Sequence, residues 1–414
     1  MDAGPDLRAQ LTEHDVTDAF VYMLARWLVL RQQARDLKEG FRWNEIVHRD
    51  RGGVDWPNPN LDVVYSEAWI AVDEGSCTLL ALPKITGRYF TVQLLNGWGE
   101  TIANLNERSY PEHGSGLFAL CLKGSQPDLP AEALRVDLPG RKARMLFRIE
   151  LGADPAGAIA LQRKLRMHPT GSPRIGDAPY RSDFATFPGV EAFDSTGEVL
   201  ASEPDINEGM LALREKARAV AAAIADGEER TRIDRIIRDR AIPWFLSEIP
   251  KAGRVVHGWL QPRAIGNYGA DYVMRTIANY TGIWANNSRE VIYFAGIGLD
   301  GDKAFSLTFP LGAGPAEQAR YFWSVIAVGA KDFRVIPNAL DRHLLNKQSK
   351  LKPNPDGSTS LWFAPERPKK CPEGNWLPTP AGGHYNLTFR IYGPSDEVVR
   401  GIWYPPPLIE QEAG

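Results

Sequence analysis

The segment Asn58-Pro59-Asn60-Leu61-Asp62-Val63-Val64-Tyr65 gathers amide, carboxylate and phenol groups within one short stretch. If Leu61 to Tyr65 begins a strand, the two-residue period puts Asn60 and Asp62 on one side and Leu61 and Val63 on the other. Two polar groups would then converge on one surface. Such a surface is a hydrogen-bonding platform, with Asp62 as general base and Tyr65 as proton donor or anion anchor. The same residues also suit an Asx-type turn that fixes the start of the strand. His48 lies just upstream and is the third catalytic candidate, because imidazole exchanges protons near neutral pH. A loop histidine is equally an ordinary surface or capping residue. Arg88, beside Tyr89, has the fork that holds a carboxylate bidentately, or else pairs with a local acid.

Farther along, Asn375-Trp376-Leu377-Pro378 and His384-Tyr385-Asn386 set aromatic and polar groups close together, and Asn338, Arg342 and His343 form another polar group. Asn58, Asn60, Arg88, Trp98, Trp376 and His384 are the candidate ligand-binding residues. Large aromatics wall pockets, and they also fill sandwich cores. The spacing of His343 and His384 imposes no metal geometry, so no metal is expected. The sequence lacks a phosphate-binding glycine loop, H-E-x-x-H, an EF-hand loop and G-x-S-x-G, so no cofactor is expected either. Gly266-Asn267-Tyr268-Gly269 has no following Lys-Ser/Thr and reads as a turn.

These groups need a frame. Val16, Phe20, Met23, Leu24, Trp27 and Leu28 recur at helical spacing and predict a helix from Asp15 to Glu39, stopped by Gly40. The period then falls to two at Ser66–Val72, Arg88–Leu94 and Arg144–Ile149, which predicts a sandwich or jelly-roll lobe. Residues 208–226 and 229–248 are rich in helix formers and predict a helical hairpin about Gly227, with Pro243 kinking or ending its second arm. Strands return at Glu290–Ala295, Phe305–Phe309, Tyr321–Val328, Ser360–Phe363 and Asn386–Tyr392. Asp300-Gly301 predicts an antiparallel hairpin between the first two, and Asp356-Gly357 another turn. The expected fold is α+β and mainly β: two antiparallel β-sandwich or jelly-roll-like lobes, 1–154 and 283–414, connected by a largely helical segment, 155–282.

A chain of 414 residues with 43% hydrophobic and 24% charged residues has material for two cores. A net charge of -3 and pI near 6.2 argue against a polyanion-binding surface, so no nucleic-acid partner is expected. Cys77, Cys121 and Cys371 form no C-x-x-C pair and read as separate inert thiols. No apolar run has the length of a membrane span, and the first residues lack the core of a secretory signal. The expectation is a cytoplasmic protein, or a periplasmic one if an export signal has been removed, with homo-oligomerisation left open.

Asn58-Pro59-Asn60-Leu61-Asp62-Val63-Val64-Tyr65-Ser66, followed by Leu82-Pro83 and Gly87-Arg88-Tyr89-Phe90, resembles the N-x-D-T-x-Y-S … P … R-Y pattern of domain-of-unknown-function family 1254. Asn375-Trp376-Leu377-Pro378-Thr379-Pro380-Ala381-Gly382, Asn386–Pro394 and Gly401-Ile402-Trp403-Tyr404-Pro405-Pro406-Pro407 resemble family 1214. The resemblance implies two β-sandwich lobes with helical connections and supplies no reaction. Val63 departs from it, standing where the pattern has Thr, and the export signal that many relatives carry is missing.

Two functions fit these residues. One is a cofactor-independent acid–base enzyme, of lyase, isomerase or hydrolase type, acting on a small, partly apolar organic molecule. The other is a protein that binds a small molecule or partner without chemistry, or that serves a structural role.

Overall fold

The computed structural model describes residues 11–52, 56–176 and 187–411. Helix α1 (Glu13–Glu39) opens on a capping box, in which the Thr12 hydroxyl accepts from Asp15 N and the Asp15 carboxylate accepts from Thr12 N. Gly40, at φ 111°, closes it as expected. Eighteen residues of α1 are buried, on all sides, because helices cover one flank and the N-terminal lobe the other.

The N-terminal lobe contains β1 (Val47–His48), β2 (Val63–Ala71), β3 (Thr78–Leu82), β4 (Phe90–Leu95), β5 (Thr101–Leu105), β6 (Gly116–Leu122), β7 (Leu134–Leu138), β8 (Lys142–Glu150) and β9 (Arg166–Pro169). One sheet runs β1-β2-β8-β4-β5 and the other β7-β6-β3-β9. Val64, Ala68 and Ile70 of β2 face the core between them. Val63, Tyr65 and Trp69 face the opposite way, into a second core shared with Val291, Phe322 and Tyr392 of the other lobe. The two-residue period is therefore real, but both faces of β2 are buried.

The helical segment comprises α2 (Pro155–Gln162), α3 (Thr196–Ala201), α4 (Leu211–Ala223), α5 (Gly227–Ile236), α6 (Ile242–Glu248) and α7 (Tyr272–Gly282). Pro243 sits in the first turn of α6, after a π-helical turn over Ile237–Ala241 that accommodates the missing donor.

The C-terminal lobe is built from β10 (Gly253–Val256), β11 (Trp259–Pro262), β12 (Val291–Asp300), β13 (Ala304–Phe309), β14 (Ala319–Gly329), β15 (Leu344–Asn346), β16 (Thr359–Ala364), β17 (Trp376–Pro378), β18 (His384–Pro394) and β19 (Ile409–Gln411), with α8 (Asp396–Val399). Its sheets run β10-β11-β12-β18-β14-β15 and β17-β16-β13-β19. The protein is α+β and mainly β, with helices between two sandwich lobes. Each lobe carries one parallel pair, β6–β7 and β16–β17, among otherwise antiparallel neighbours.

Two expectations fail. β12 and β13 do not form a hairpin: β12 pairs with β18 and β11, whereas β13 pairs with β16 and β19 in the facing sheet. Asp300-Gly301 carries the chain across the sandwich instead. There a Cβ on Gly301 would lie 2.6 Å from the Gly382 carbonyl oxygen, so close approach rather than positive φ requires glycine. The cysteines are not three separate thiols either. Cys77 and Cys121 form a disulfide. Their approach follows from the β3–β6 pairing of Thr78 with Leu120, which no sequence spacing records. Cys371 is free and buried, and burial pushes its thiol up to about 12.

Candidate functional site

Where the lobes meet, α7 and the mixed faces of β8, β12 and β18 leave a cavity of about 120 Å³. Its walls are mainly apolar, with Leu260, Met274, Ile277, Ala278, Ile283 and Ala295 among them. Its polar groups include Asn58, Asn60, Tyr65, Arg148, Tyr293 and Arg390, with Tyr392 beside them. β8 and β18 each lie inside their sheet, so a central strand of each lobe delivers one arginine.

Both guanidiniums are buried, and both donate to neutral oxygens. Arg148 donates to Gln93 Oε1 (2.5 Å) and the Trp284 carbonyl (3.0 Å), and its charge lies 5.5 Å from the Tyr65 ring centroid. Arg390 donates to the Asn58 carbonyl (2.8 Å). Tyr65 accepts from Asn60 N (3.1 Å), which leaves its phenol proton free to donate. Burial raises the phenols of Tyr293 and Tyr392, so both stay protonated at neutral pH.

The backbone here is held in costly conformations. Asn58, Trp284 and Phe333 all line the cavity at positive φ, 51°, 68° and 57°. For a bulky residue such as Trp284 this costs about 1–2 kcal/mol, and such positions cluster at functional sites. Asn58 is held from three sides: its amide donates to Thr281 O (2.7 Å), its side-chain oxygen accepts from Thr388 (2.6 Å), and its N–H donates to Phe333 O (2.8 Å). It thereby ties α7, β18 and the loop after β14 around the cavity.

The Asn58–Tyr65 motif divides between two places. Residues 60–62 form a turn and β2 begins at Val63, so strand alternation does not govern Asn60 and Asp62. Asn60 takes the Asx role, accepting from Asp62 N (2.8 Å), and lines the cavity with Asn58 and Tyr65. Asp62 turns away into a separate polar cleft with Glu150, His343 and Asn346. There Asn346 donates to Asp62 Oδ1 (2.6 Å), the Ser324 hydroxyl also acts on the carboxyl, and burial, the larger influence, raises it above its ordinary range.

The other candidates stand elsewhere. The His48 ring lies 2.8 Å from the Ser66 hydroxyl, and burial lowers its pKa. Arg88 braces the start of α2 through the Asp154 carboxylate and the Glu150 carbonyl. Trp98 is fully buried in the helical core, 4.5 Å from the Arg275 charge. Trp376 donates to the Ala364 carbonyl (2.9 Å) at the β16–β17 edge. His384 is exposed at the start of β18. Among the described residues, no group of three or more His, Cys, Asp or Glu could hold a metal.

Arg148, Arg390, Tyr293 and Trp284 were not among the residues singled out from sequence. Two of them left a readable signal: an arginine inside the apolar runs Met145–Ile149 and Leu387–Ile391, where a central strand has no solvent to offer it.

No curated protein matches the chain. Among solved structures, the VPA0106 protein from Vibrio parahaemolyticus aligns over 96% of this chain and 100% of its own length, with a TM-score of 0.63 and 16% identity, which shows a shared fold. An uncharacterized protein from Burkholderia cenocepacia aligns over 94% of this chain and 86% of its own, with a TM-score of 0.46 and 14% identity. Two family models match, both described as protein of unknown function: DUF1254 over residues 43–169 and DUF1214 over residues 294–396. The chain is thus a protein with paired domains of unknown function, DUF1254 ahead of DUF1214, in the order its motifs suggest.

Proposed function

We propose that this protein binds a small, partly apolar organic molecule in the cavity between its lobes. One observation carries the reading: an apolar cavity closed by both lobes and α7 is floored by buried polar groups with unfilled hydrogen bonds. Tyr65 and Asp62 diverge, and among the described residues no carboxylate or histidine lines the cavity, so binding is better supported there than acid–base turnover. The acid–base reading rests instead on Asp62 in the polar cleft, whose raised pKa suits a proton donor.

The test is thermal unfolding with a panel of small aromatic and alicyclic compounds, neutral and charged. Compounds that occupy the cavity raise the midpoint of the wild type and not of Ala278→Phe, which fills it. Equal shifts in the two proteins, or none in either, would end the binding reading.

The Cys77–Cys121 disulfide supports residence in an oxidising compartment over the cytoplasm, where such bonds are rare. Among the described residues, no helix is long and apolar enough to cross a membrane. Thiol titration of denatured protein, prepared without reductant from its native host, should find one reactive cysteine, and three after reduction. Three before reduction would favour the cytoplasm.

A further inference from the structure

Resting on the reading of the cavity as a binding site, we propose that its ligand is an organic anion: one carboxylate, held by Arg148 and Arg390, on an apolar ring or short chain packed against α7.

The charge count leads there. Among the described residues, no Asp or Glu lines the cavity, yet two buried arginines do. Other deeply buried arginines have acids beside them: Arg144 meets Glu67 and Asp36 (3.2 Å), and Arg275 meets Asp205 (3.0 Å) and Glu100 (3.6 Å). Asp62 acts on Arg390 through space, but from the neighbouring cleft, where Asn346 holds one of its oxygens. The protonated phenols of Tyr293 and Tyr392 are donors, not counter-ions.

The hydrogen-bond inventory has the same sign. Four residues lining the cavity carry a buried side-chain atom with no partner, and every one of these atoms is a donor: Asn60 Nδ2, Arg148 Nε, Trp284 Nε1 and Arg390 Nη1. A ligand that completes this set brings acceptors, and a carboxylate brings two oxygens without a donor of its own. Size limits the remainder. An apolar cavity of about 150 Å³ takes benzene, so about 120 Å³ limits the enclosed part to a short chain or at most one ring.

Calorimetric titration of the whole protein with benzoate and cyclohexanecarboxylate, against benzamide and cyclohexanecarboxamide, tests the assignment. The carboxylates should bind about tenfold or more tightly than the matched amides, as charge-assisted hydrogen bonds require. Arg390→Met and Arg148→Met should each erase that preference, bringing carboxylate affinity down to that of the matched amide in the same variant, with circular dichroism confirming the fold of each variant. The wild-type preference is decisive even if a variant fails to fold. Amides that bind as tightly as carboxylates, blocked equally by Ala278→Phe, would overturn the anion and leave the binding site standing. Absence of binding by all four compounds would overturn both.

Discussion

Arg144 and Arg148 leave the same face of β8, four residues and about 13 Å apart at the usual strand rise, and they meet opposite surroundings. Arg144 is enclosed: it is salt-bridged to Glu67 and Asp36 and lies over Phe41 and Trp69 at 5.1 and 5.0 Å. Arg148 has two neutral acceptors and a cavity. The first region has its countercharge within the fold. In the second, the proposed ligand would supply it. A buried charge with its acid in place holds the structure, whereas a buried charge without one imposes a solvation cost that a ligand of opposite sign can relieve.

The comparison can be broken by substitution. The largest effect belongs to Arg144→Met, which takes one of two cations from the fully buried Glu67, leaving Arg49, and should cost about 3 kcal/mol in urea unfolding. A loss under about 1 kcal/mol would mean that the aromatic enclosure, not the ion pair, holds this region. Arg148→Met should cost less, about 1–2 kcal/mol, because the Trp284 carbonyl and the Gln93 amide lose a donor but no acid is stranded. A loss matching that of Arg144→Met would mean the two sites are energetically alike.

Arg390→Met should stay within about 1 kcal/mol of wild type in ligand-free protein, since one hydrogen bond is exchanged for relief of a buried charge. The smallest effect is a pH dependence. The folded carboxyl of Asp62 lies above its ordinary 3.8, so its favourable contribution is full below that value and is lost as pH rises through the folded pKa. The midpoint of Asp62→Asn relative to wild type should therefore climb between pH 4 and pH 7. A flat difference would mean that Ser324 and Asn346 already compensate the charge.

Much of the frame was legible in local sequence. Helix α1 and its Gly40 stop, the main strands and the Pro243 break follow from nearest-neighbour rules, and these act over a few residues. The Asp300-Gly301 hairpin failed because a turn motif specifies a change of direction, not which sheet the next strand joins. The Asn58–Tyr65 motif marked a real junction. Its division between cavity and cleft depended on where the turn gives way to strand, one residue past Asp62.

The sequence alone determined the β-rich, two-lobed class, because hydrophobic period and breaker residues act along the chain. It also carried the pairing of the two families, because their motifs are local. Only the tertiary structure decided that Cys77 meets Cys121, that Arg148 and Arg390 come from different lobes to one cavity, and that Arg144 has acids while Arg148, among the described residues, has none paired with it. Each is a contact between residues distant in sequence, set by strand pairing and lobe packing. Charge compensation is a property of neighbours in space, and a list of residues does not contain it.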